Sequence, residues 1–198
     1  MSRDLLVLAP LRIEAFALRR GLPASAVLRT GMGRARSERA AAWLIGSHRG
    51  AFAVAGVCGA LDPRLVPGDL VVASELRGAG APLVLESAKA LARALEARGF
   101  AVHIGPIHST DHLAPRREQA ELAAQGAMAV DMESAWLARL AASAPFAVLR
   151  VVSDGPGHSP FSPRIVPNGI RALRRLAAAA PALADWATHT HHPLEAHR

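Results

Sequence analysis

Cysteine, tyrosine and lysine are almost absent from this sequence of 198 residues, and long apolar runs are missing altogether. Cys58 is the only cysteine, which excludes an intramolecular disulfide framework and fits a reducing compartment. No run approaches the roughly 18 apolar residues of a membrane span. Residues 1–9 (MSRDLLVLA) are too short for the apolar core and cleavage site of a signal peptide. We therefore predict a cytoplasmic protein.

Aromatic residues make up only 4% of the chain, although its net charge is +7. Lys89 is the only lysine among 23 basic residues, so the other 22 are arginines, and these are spread through alanine-rich segments. Proteins that bind nucleic acids usually combine a clustered basic face with interleaved aromatic residues. The composition therefore predicts no nucleic-acid partner, but it allows peripheral contact with anionic lipid head groups.

Short apolar runs of strand length alternate with segments of helical periodicity along the whole chain. Predicted strands cover residues 5–9, 27–30, 51–57, 69–74, 101–108, 127–130 and 146–152. Predicted helices cover 12–20, 35–47, 86–98, 115–124, 133–142 and 164–186, the last interrupted by Pro167 and Pro181. The alternation predicts a single α/β domain with a largely parallel sheet. We place this domain at residues 1–187 and a flexible, histidine-rich tail at 188–198.

Acidic residues follow three of the predicted strands. Residues 129–135 (AVDMESA) and 150–155 (RVVSDG) both lead from an apolar run into carboxylates, and Glu14 follows the first strand. The carboxyl ends of strands in an open α/β sheet face the crevice where such folds bind ligands. Carboxylates in that position suit cleavage of a bond whose leaving group needs a proton and whose electrophile is a sugar cation. The N-glycosidic bond of a nucleoside is such a bond.

Each of these carboxylates also has a purely structural interpretation. Asp131 can cap a helix, and Glu133 fits a first helical turn because of the helix dipole. Asp154 precedes a glycine and can form a turn. Glu14 can be a solvated charge on a helix surface, as most helical glutamates are.

Neither the cysteine nor the histidines indicate a reactive or metal-binding group. Cys58 lacks a His/Asp constellation in the sequence and is typical of a small buried hydrophobic residue. The histidines of residues 189–192 have weak spacing for metal ligands. We predict no metal and no cofactor.

Five motifs in matching order resemble the purine nucleoside phosphorylase/nucleosidase superfamily, nearest its methylthioadenosine/S-adenosylhomocysteine nucleosidase branch. They are residues 9–14 (APLRIE), 30–33 (TGMG), 56–61 (GVCGAL) with 67–72 (PGDLVV), 130–133 (VDME) and 150–154 (RVVSD). The resemblance covers roughly residues 4–155. It implies the three-layer fold of nucleoside phosphorylases, in which helices flank a mixed, mostly parallel central sheet. It also implies N-glycosidase activity on a small nucleoside, and a homodimer.

The resemblance also implies a role for each matching residue. Glu133 would hold the ribose 2′- and 3′-hydroxyls, since a carboxylate can accept two hydrogen bonds, and the backbone around Met132 would line the sugar. Glu14 would position and deprotonate the attacking water. Asp154, oriented by Ser153, would protonate the base at N7, which needs a protonated or proton-sharing carboxyl at neutral pH.

Four further residues are placed at the same site. Cys58 and Gly59 would present their backbone to the base, and Asp131 would contribute to substrate binding. Leu113 stands where the methylthioadenosine-cleaving relatives tend to place an aromatic residue that stacks on the purine. Residues 155–163 are a candidate lid over the base.

The match of Glu14 belongs to the hydrolytic branch, so we favour hydrolysis over phosphorolysis. A phosphorylase needs cationic and hydroxyl donors around a phosphate. Arg12, Arg34 and Arg36 supply candidate cations, whereas Val57 occupies a position where the superfamily usually offers serine or threonine.

The connection at residues 75–85 is short. The relatives that cleave methylthioadenosine carry a longer excursion there, which helps to wall in the 5′ group. This compact form is similar to the hopanoid-biosynthesis nucleosidase group, whose members are thought to convert adenosylhopane to ribosylhopane. The prediction is therefore a nucleosidase with a 5′-substituted, lipid-tailed substrate. Futalosine hydrolase, methylthioadenosine/S-adenosylhomocysteine nucleosidase, a phosphorylase and a non-catalytic nucleoside-binding module are the alternatives.

Overall fold

The computed structural model describes residues 5–47, 50–155 and 165–190, and it consists of an eight-stranded sheet with helices on both sides. The strands are β1 (Leu5–Ala9), β2 (Val27–Arg29), β3 (Ala51–Ala60), β4 (Leu70–Arg77), β5 (Leu83–Val84), β6 (Val102–Ser109), β7 (Ala129–Asp131) and β8 (Phe146–Asp154). The helices are α1 (Arg12–Leu18), α2 (Arg34–Leu44), α3 (Ala88–Glu96), α4 (Arg116–Ala124), α5 (Ser134–Leu137) and α6 (Ile165–Thr190). Short 3₁₀ helices cover Ala24–Ala26 and Ala138–Ala142. The predicted α/β class is confirmed.

The sheet is mixed and mostly parallel, as predicted. Its order is β2-β1-β3-β7-β6-β4-β5, and β8 pairs with both β3 and β4. The antiparallel pairs are β3 with β7, β4 with β5 and β4 with β8. Because β7 and β8 both connect β3 to the β4–β6 pair, five strands close into a ring. A closed ring gathers strand ends that an open sheet would spread apart.

Strand β3 shows why both faces of the sheet are buried. Ala51, Ala53 and Ala55 belong to a core that includes residues of α1, α3 and α6. Phe52 and Val54 belong to the opposite core, with residues of α2 and α5. Alternate side chains of a strand point to opposite faces, and a strand covered on both sides is apolar throughout. The result is the predicted arrangement of three layers.

The structure corrects several predicted boundaries near the strand ends. β3 and β8 extend to Ala60 and Asp154, beyond the predicted ends at residues 57 and 152. The predicted helix at 133–142 is a short α-helix followed by a 3₁₀ helix. The two-residue strand β5 was not predicted, because two residues carry no periodicity.

The last helix, α6, contradicts the predicted interruptions at two prolines. It runs unbroken for 26 residues. Pro167 lies in its first turn, where an N–H would have no helical partner. Pro181 lies inside the helix. Gly21 packs closely against this part of α6, so that a Cβ added to Gly21 would lie 2.6 Å from the Ala177 carbonyl oxygen. Tertiary packing thus outweighs the local cost of the proline.

The helix α6 also reaches into the predicted tail. It ends at Thr190, so residues 188–190 are helical, and the rest of the predicted tail, 191–198, lies outside the described residues. None of the helices in the described ranges is long and apolar enough to cross a membrane.

Candidate active site

A cavity of about 180 Å³ lies at the carboxyl ends of β3, β6, β7 and β8. All nine side chains or backbone positions predicted from the sequence line it: Glu14, Cys58, Gly59, Leu113, Asp131, Met132, Glu133, Ser153 and Asp154. The site also includes Leu11, Met32 and Val57, among others. Strand ends from different parts of the chain meet here, as expected for the ligand crevice of an α/β sheet.

Glu14 lies in the first turn of α1 and turns inward, with only 1% of its surface exposed. Its Oε1 accepts the Val57 N–H at 2.8 Å, and its Oε2 accepts the Leu11 N–H at 2.7 Å. Burial raises the pKa of Glu14, although Arg150 and these two hydrogen bonds oppose the shift. The interpretation of Glu14 as a solvated surface charge is therefore wrong. A carboxylate with a raised pKa is a better proton acceptor.

Asp131 ends β7, and its side chain accepts hydrogen bonds from the backbone at the start of α5. Its Oδ1 lies 3.3 Å from the N–H nitrogens of both Glu133 and Ser134, and it accepts the Ser109 hydroxyl at 2.5 Å. The N-cap residue of α5 is Glu133, so the structural interpretation of Asp131 as the N-cap is wrong, although its side chain accepts the first N–H groups. The same bonds hold the next carboxylate, Glu133, at the cavity wall.

Glu133 contacts the glycine turn at residues 31–33. Its Oε1 accepts the Gly33 N–H at 3.1 Å. Gly31 and Gly33 have φ angles of 91° and 85°, which side chains of L-residues rarely adopt. Burial is the main cause that raises the pKa of Glu133 to about 7, with Asp131 adding to the shift and Arg150 opposing it. The glycine turn therefore presents a backbone donor to a carboxylate that titrates near neutrality.

Arg150 is the main residue of the site to which the sequence analysis gave no role. It lies within β8 and has no exposed surface. Its Nη2 is 2.7 Å from Asp131 Oδ2 and 3.5 Å from Glu133 Oε2. Its Nη1 is 3.4 Å from the Val57 carbonyl oxygen. An arginine inside the apolar run of residues 146–152 was the available signal, since a buried arginine needs paired carboxylates.

Glu14, Asp131, Glu133 and Arg150 form a charge cluster of three buried carboxylates and one buried guanidinium. Burial opposes the charge of Arg150, but Asp131, Glu133 and Glu14 together raise its pKa, so the cation is retained. With the carboxylates ionised, the cluster is net negative. Negative charge fixed beside a reacting sugar stabilises a positive charge that develops on it.

Asp154 ends β8 beside Gly59, to which it is paired in the β3–β8 ladder. The Ser153 hydroxyl donates to Asp154 Oδ1 at 2.6 Å and lies 3.1 Å from the Cys58 carbonyl oxygen. A Cβ at Gly59 would lie 3.1 Å from Asp154 Oδ2. The glycine therefore leaves room for this carboxylate at the cavity. Burial raises the pKa of the Cys58 thiol, which excludes a thiolate nucleophile there at neutral pH.

Positive charge is scarce at the cavity wall. No arginine or lysine is among the described residues that line it. Arg34 pairs with Glu38 and lies over the Trp136 ring, and Arg36 donates to the Met32 carbonyl. His112 lines the cavity but is bonded to two carboxylates. A phosphate at this site would meet carboxylates rather than free cations.

Three of the described residues that line the cavity are exposed: the apolar Met32 and Leu113, and the polar His112. Leu113 is 65% exposed and Met32 is 49% exposed, although both line the cavity. Within the described ranges, no group of three or more histidine, cysteine, aspartate or glutamate side chains could hold a metal ion. Of the candidate lid at 155–163, all but Gly155 lies outside the described residues.

Comparison with known proteins identifies the family of this chain. Residues 24–184 match the profile of a family described as the phosphorylase superfamily. The chain belongs to the phosphorylase superfamily. It is therefore homologous to enzymes that cleave N-glycosidic bonds, and the predicted superfamily is confirmed. A search of curated protein sequences finds no significant match.

Solved structures with the same fold include nucleosidases. The 5′-methylthioadenosine/S-adenosyl homocysteine nucleosidase of Campylobacter jejuni superposes with a TM-score of 0.78 at 16% identity, covering 92% of this chain and 98% of its own. Futalosine hydrolase of Helicobacter pylori gives 0.73 at 19% identity, covering 94% and 97%. A Helicobacter pylori nucleosidase variant with 5′-methylthioadenosine in its active site gives 0.74 at 17% identity, covering 96% and 100%. At such identities the likeness shows a shared fold.

Proposed function

We propose that this superfamily member is a nucleosidase that hydrolyses the N-glycosidic bond of a 5′-substituted adenosine and releases adenine. The observation that carries the proposal is the meeting of Glu14, Glu133 and Asp154 at one cavity. These residues supply a proton acceptor, a hydroxyl-binding carboxylate and a proton donor. N-glycoside hydrolysis requires all three functions.

The ribose binds against Glu133. Its carboxylate accepts hydrogen bonds from the 2′- and 3′-hydroxyls, while Gly33 and Arg150 keep it in place from behind. The backbone at Met132 lines the sugar. As the bond from C1′ to the base lengthens, the carboxylates of the cluster stabilise the oxocarbenium-like ribosyl group.

Proton transfers at the two ends of the bond complete the reaction. Asp154, oriented by Ser153, gives a proton to N7, so that the electron pair of the breaking bond leaves with a neutral base. Glu14 takes a proton from water as the water oxygen bonds to C1′. Cys58 and Gly59 present their backbone to the base, and Asp131 supports the site by holding Arg150 and the start of α5.

Hydrolysis is favoured over phosphorolysis by the charges at the wall. Phosphate binding usually relies on arginine or lysine donors, and the described lining residues include neither. The buried carboxylates of Glu14 and Glu133 would also repel a phosphate dianion. Water needs no such countercharge.

The substrate that we propose is adenosylhopane, which would be converted to ribosylhopane in hopanoid biosynthesis. The exposed side chains of Met32 and Leu113 at the cavity mouth leave an apolar exit for a 5′ substituent. The connection between β4 and α3 is short and contains only the two-residue strand β5. Futalosine and methylthioadenosine are the alternative substrates. A cytoplasmic homodimer is part of the same proposal.

The first test is base release by the purified protein. The substrates are adenosine with a long 5′-alkyl group, methylthioadenosine, S-adenosylhomocysteine and futalosine, each with and without phosphate. We expect the alkyl substrate to be cleaved fastest, without dependence on phosphate. Preference for a small substrate would overturn the lipid-tailed assignment, and strict phosphate dependence would overturn hydrolysis.

The substitution Glu14→Gln distinguishes hydrolysis from phosphorolysis further. The amide cannot take a proton from water, so we expect hydrolysis to fall by about a thousandfold, within the range for a lost general base. If the variant keeps the wild-type rate without phosphate, the assignment of Glu14 is wrong. If it cleaves at the wild-type rate only with phosphate, phosphorolysis rather than hydrolysis is the main reaction.

A further inference from the structure

The helix α1 presents two different faces. Leu11 and Glu14, at its start, line the active-site cavity. Ile13 and Phe16 point outward and are 56% and 67% exposed. Single exposed apolar side chains are common on protein surfaces, but neighbouring ones that form a patch mark an interaction surface.

These two side chains form one wall of an apolar groove, and α6 forms the other. The α6 residues at the groove include Ile170 and Leu173, and the groove volume is about 630 Å³. Ile170 is 48% exposed, and Val166, one turn before it, is 64% exposed. The active-site cavity and this groove are thus separated by the width of α1.

Arginines line the edge of the groove. Arg20 and Arg174 are among its lining residues, and Arg171 lies beside them in a neighbouring depression. Within the described ranges, none of these three guanidinium groups forms an ion pair with a carboxylate. Glu14 is the only acidic residue of α1, and it is buried, while α6 has none before Asp185.

We propose that this groove docks on an anionic phospholipid bilayer. Apolar side chains beside arginines suit the boundary between acyl chains and phosphate head groups. The apolar side chains enter the bilayer, and the arginines bind the phosphates. A second copy of the chain fits less well. A two-fold contact through this face would bring arginines together without carboxylates to pair them.

Docking in this orientation bears on the active site because α1 belongs to both surfaces. The helix that carries Glu14 would lie at the lipid surface, close to a substrate whose tail stays in the bilayer. The docking itself does not rest on the proposed substrate. Vesicle binding is measured without turnover, so its failure and the failure of the proposed function are distinguishable.

The test is sedimentation of the full chain with vesicles of phosphatidylcholine alone or mixed with phosphatidylglycerol. We expect binding to the anionic vesicles only. Salt at about 0.5 M should weaken this binding because it screens the attraction between the arginines and the lipid phosphates. Equal binding to both kinds of vesicle, or to neither, would overturn the proposal.

A matched pair of double variants locates the surface. Phe16→Ser with Arg20→Gln changes an exposed aromatic residue and an arginine one turn apart on α1. Trp43→Ser with Arg39→Gln does the same on α2, which packs on the other face of the sheet. Trp43 is as exposed as Phe16, so the two variants remove similar groups.

We expect the α1 variant to bind anionic vesicles about fiftyfold more weakly, from about fivefold for the arginine and about tenfold for the phenylalanine. The α2 variant should bind like the wild type. Both should keep the wild-type rate on a water-soluble nucleoside and the wild-type thermal midpoint. Unchanged vesicle binding by the α1 variant, or conversion of a dimer to a monomer by it, would overturn lipid docking at this groove.

Discussion

At the scale of single residues, the hydrogen bond from Ser153 to Asp154 is the contact closest to the proposed proton transfer. It fixes Oδ1 at 2.6 Å and leaves Oδ2 beside Gly59. A carboxyl that protonates the leaving base must be both oriented and able to carry a proton. Substitutions at these two positions separate the two requirements.

Asp154→Asn should lower kcat for base release by about a thousandfold, because an amide has no proton to give at neutral pH. Ser153→Ala should lower it by about tenfold, because one orienting hydrogen bond is lost. Binding of the nucleoside should change little in either variant. Single-turnover base release and calorimetric titration measure the two quantities, and normal turnover by Asp154→Asn would refute the assignment.

The sequence predicts the carboxylates of the site better than it predicts their surroundings. Glu14, Glu133 and Asp154 were recognisable because each lies in a short motif beside a strand end. The role of Arg150 was not recognisable from the sequence. Its partners Asp131 and Glu133 come close to Arg150 only when β7 and β8 take their places in the ring. Pairing across distant segments has no local sequence signal.

At the scale of elements, β3 is the strand on which the site depends most. Gly56 in its centre faces Glu14 and Arg150: a Cβ there would collide with Glu14 Oε1 and lie 2.6 Å from Arg150 Nη1. Both neighbours are buried and held by hydrogen bonds and ion pairs. They have little freedom to move aside.

Gly56→Ala should therefore displace Glu14 from its hydrogen bonds. We expect a loss of about a hundredfold in kcat and a loss of about 1–3 kcal/mol in the free energy of unfolding, typical of overpacking. Gly169→Ala in α6 is the matched control, since no atom lies within 4 Å of the added carbon. It should stabilise the protein by about 0.5–1 kcal/mol. Urea denaturation and turnover assays compare the two; equal behaviour would refute the steric argument.

The ends of elements were harder to predict than their presence. The apolar part of β3 was predicted correctly, but its continuation through Cys58 and Gly59 was not. The reason is that a glycine after an apolar run usually indicates the start of a turn. Helix α6 continues through Pro181 because the surrounding core holds it: Ala182 and Leu183 are fully buried. Local rules describe isolated segments, and packing decides where segments end.

At the scale of the whole molecule, the closed ring of strands explains why one cavity receives residues from most of the chain. The alternation of strands and helices predicted the class, and the family resemblance implied the three layers. The alternation did not predict that β8 lies antiparallel to β4 while parallel to β3. Strand order depends on which pairings bury the most surface, and periodicity carries no information about that choice.

The charge cluster around Arg150 also affects the stability of the whole protein. The pKa of Glu133 in the folded protein is about 7, above its usual 4.5, mainly because of burial. Between these two values the folded protein binds more protons than the unfolded chain does. The contribution of Glu133 to the free energy of unfolding therefore falls as the pH rises from 4.5 to about 7.

Glu133→Gln removes this titration while keeping the shape of the side chain. The variant should lose activity, because an amide cannot accept both ribose hydroxyls as a carboxylate does. It should nevertheless be more stable than the wild type at pH 8, by on the order of 2–3 kcal/mol, and the gap should shrink towards zero near pH 4.5. Urea denaturation of both proteins at several pH values measures the gap. Titrating groups that do not interact with Glu133, such as His112, are common to the two proteins and cancel in the difference. A gap that stays constant with pH would mean that the charge of Glu133 does not oppose folding. A gap that grows as predicted would mean that the protein keeps a buried carboxylate at a cost in stability, as expected of a residue retained for its proposed role in ribose binding.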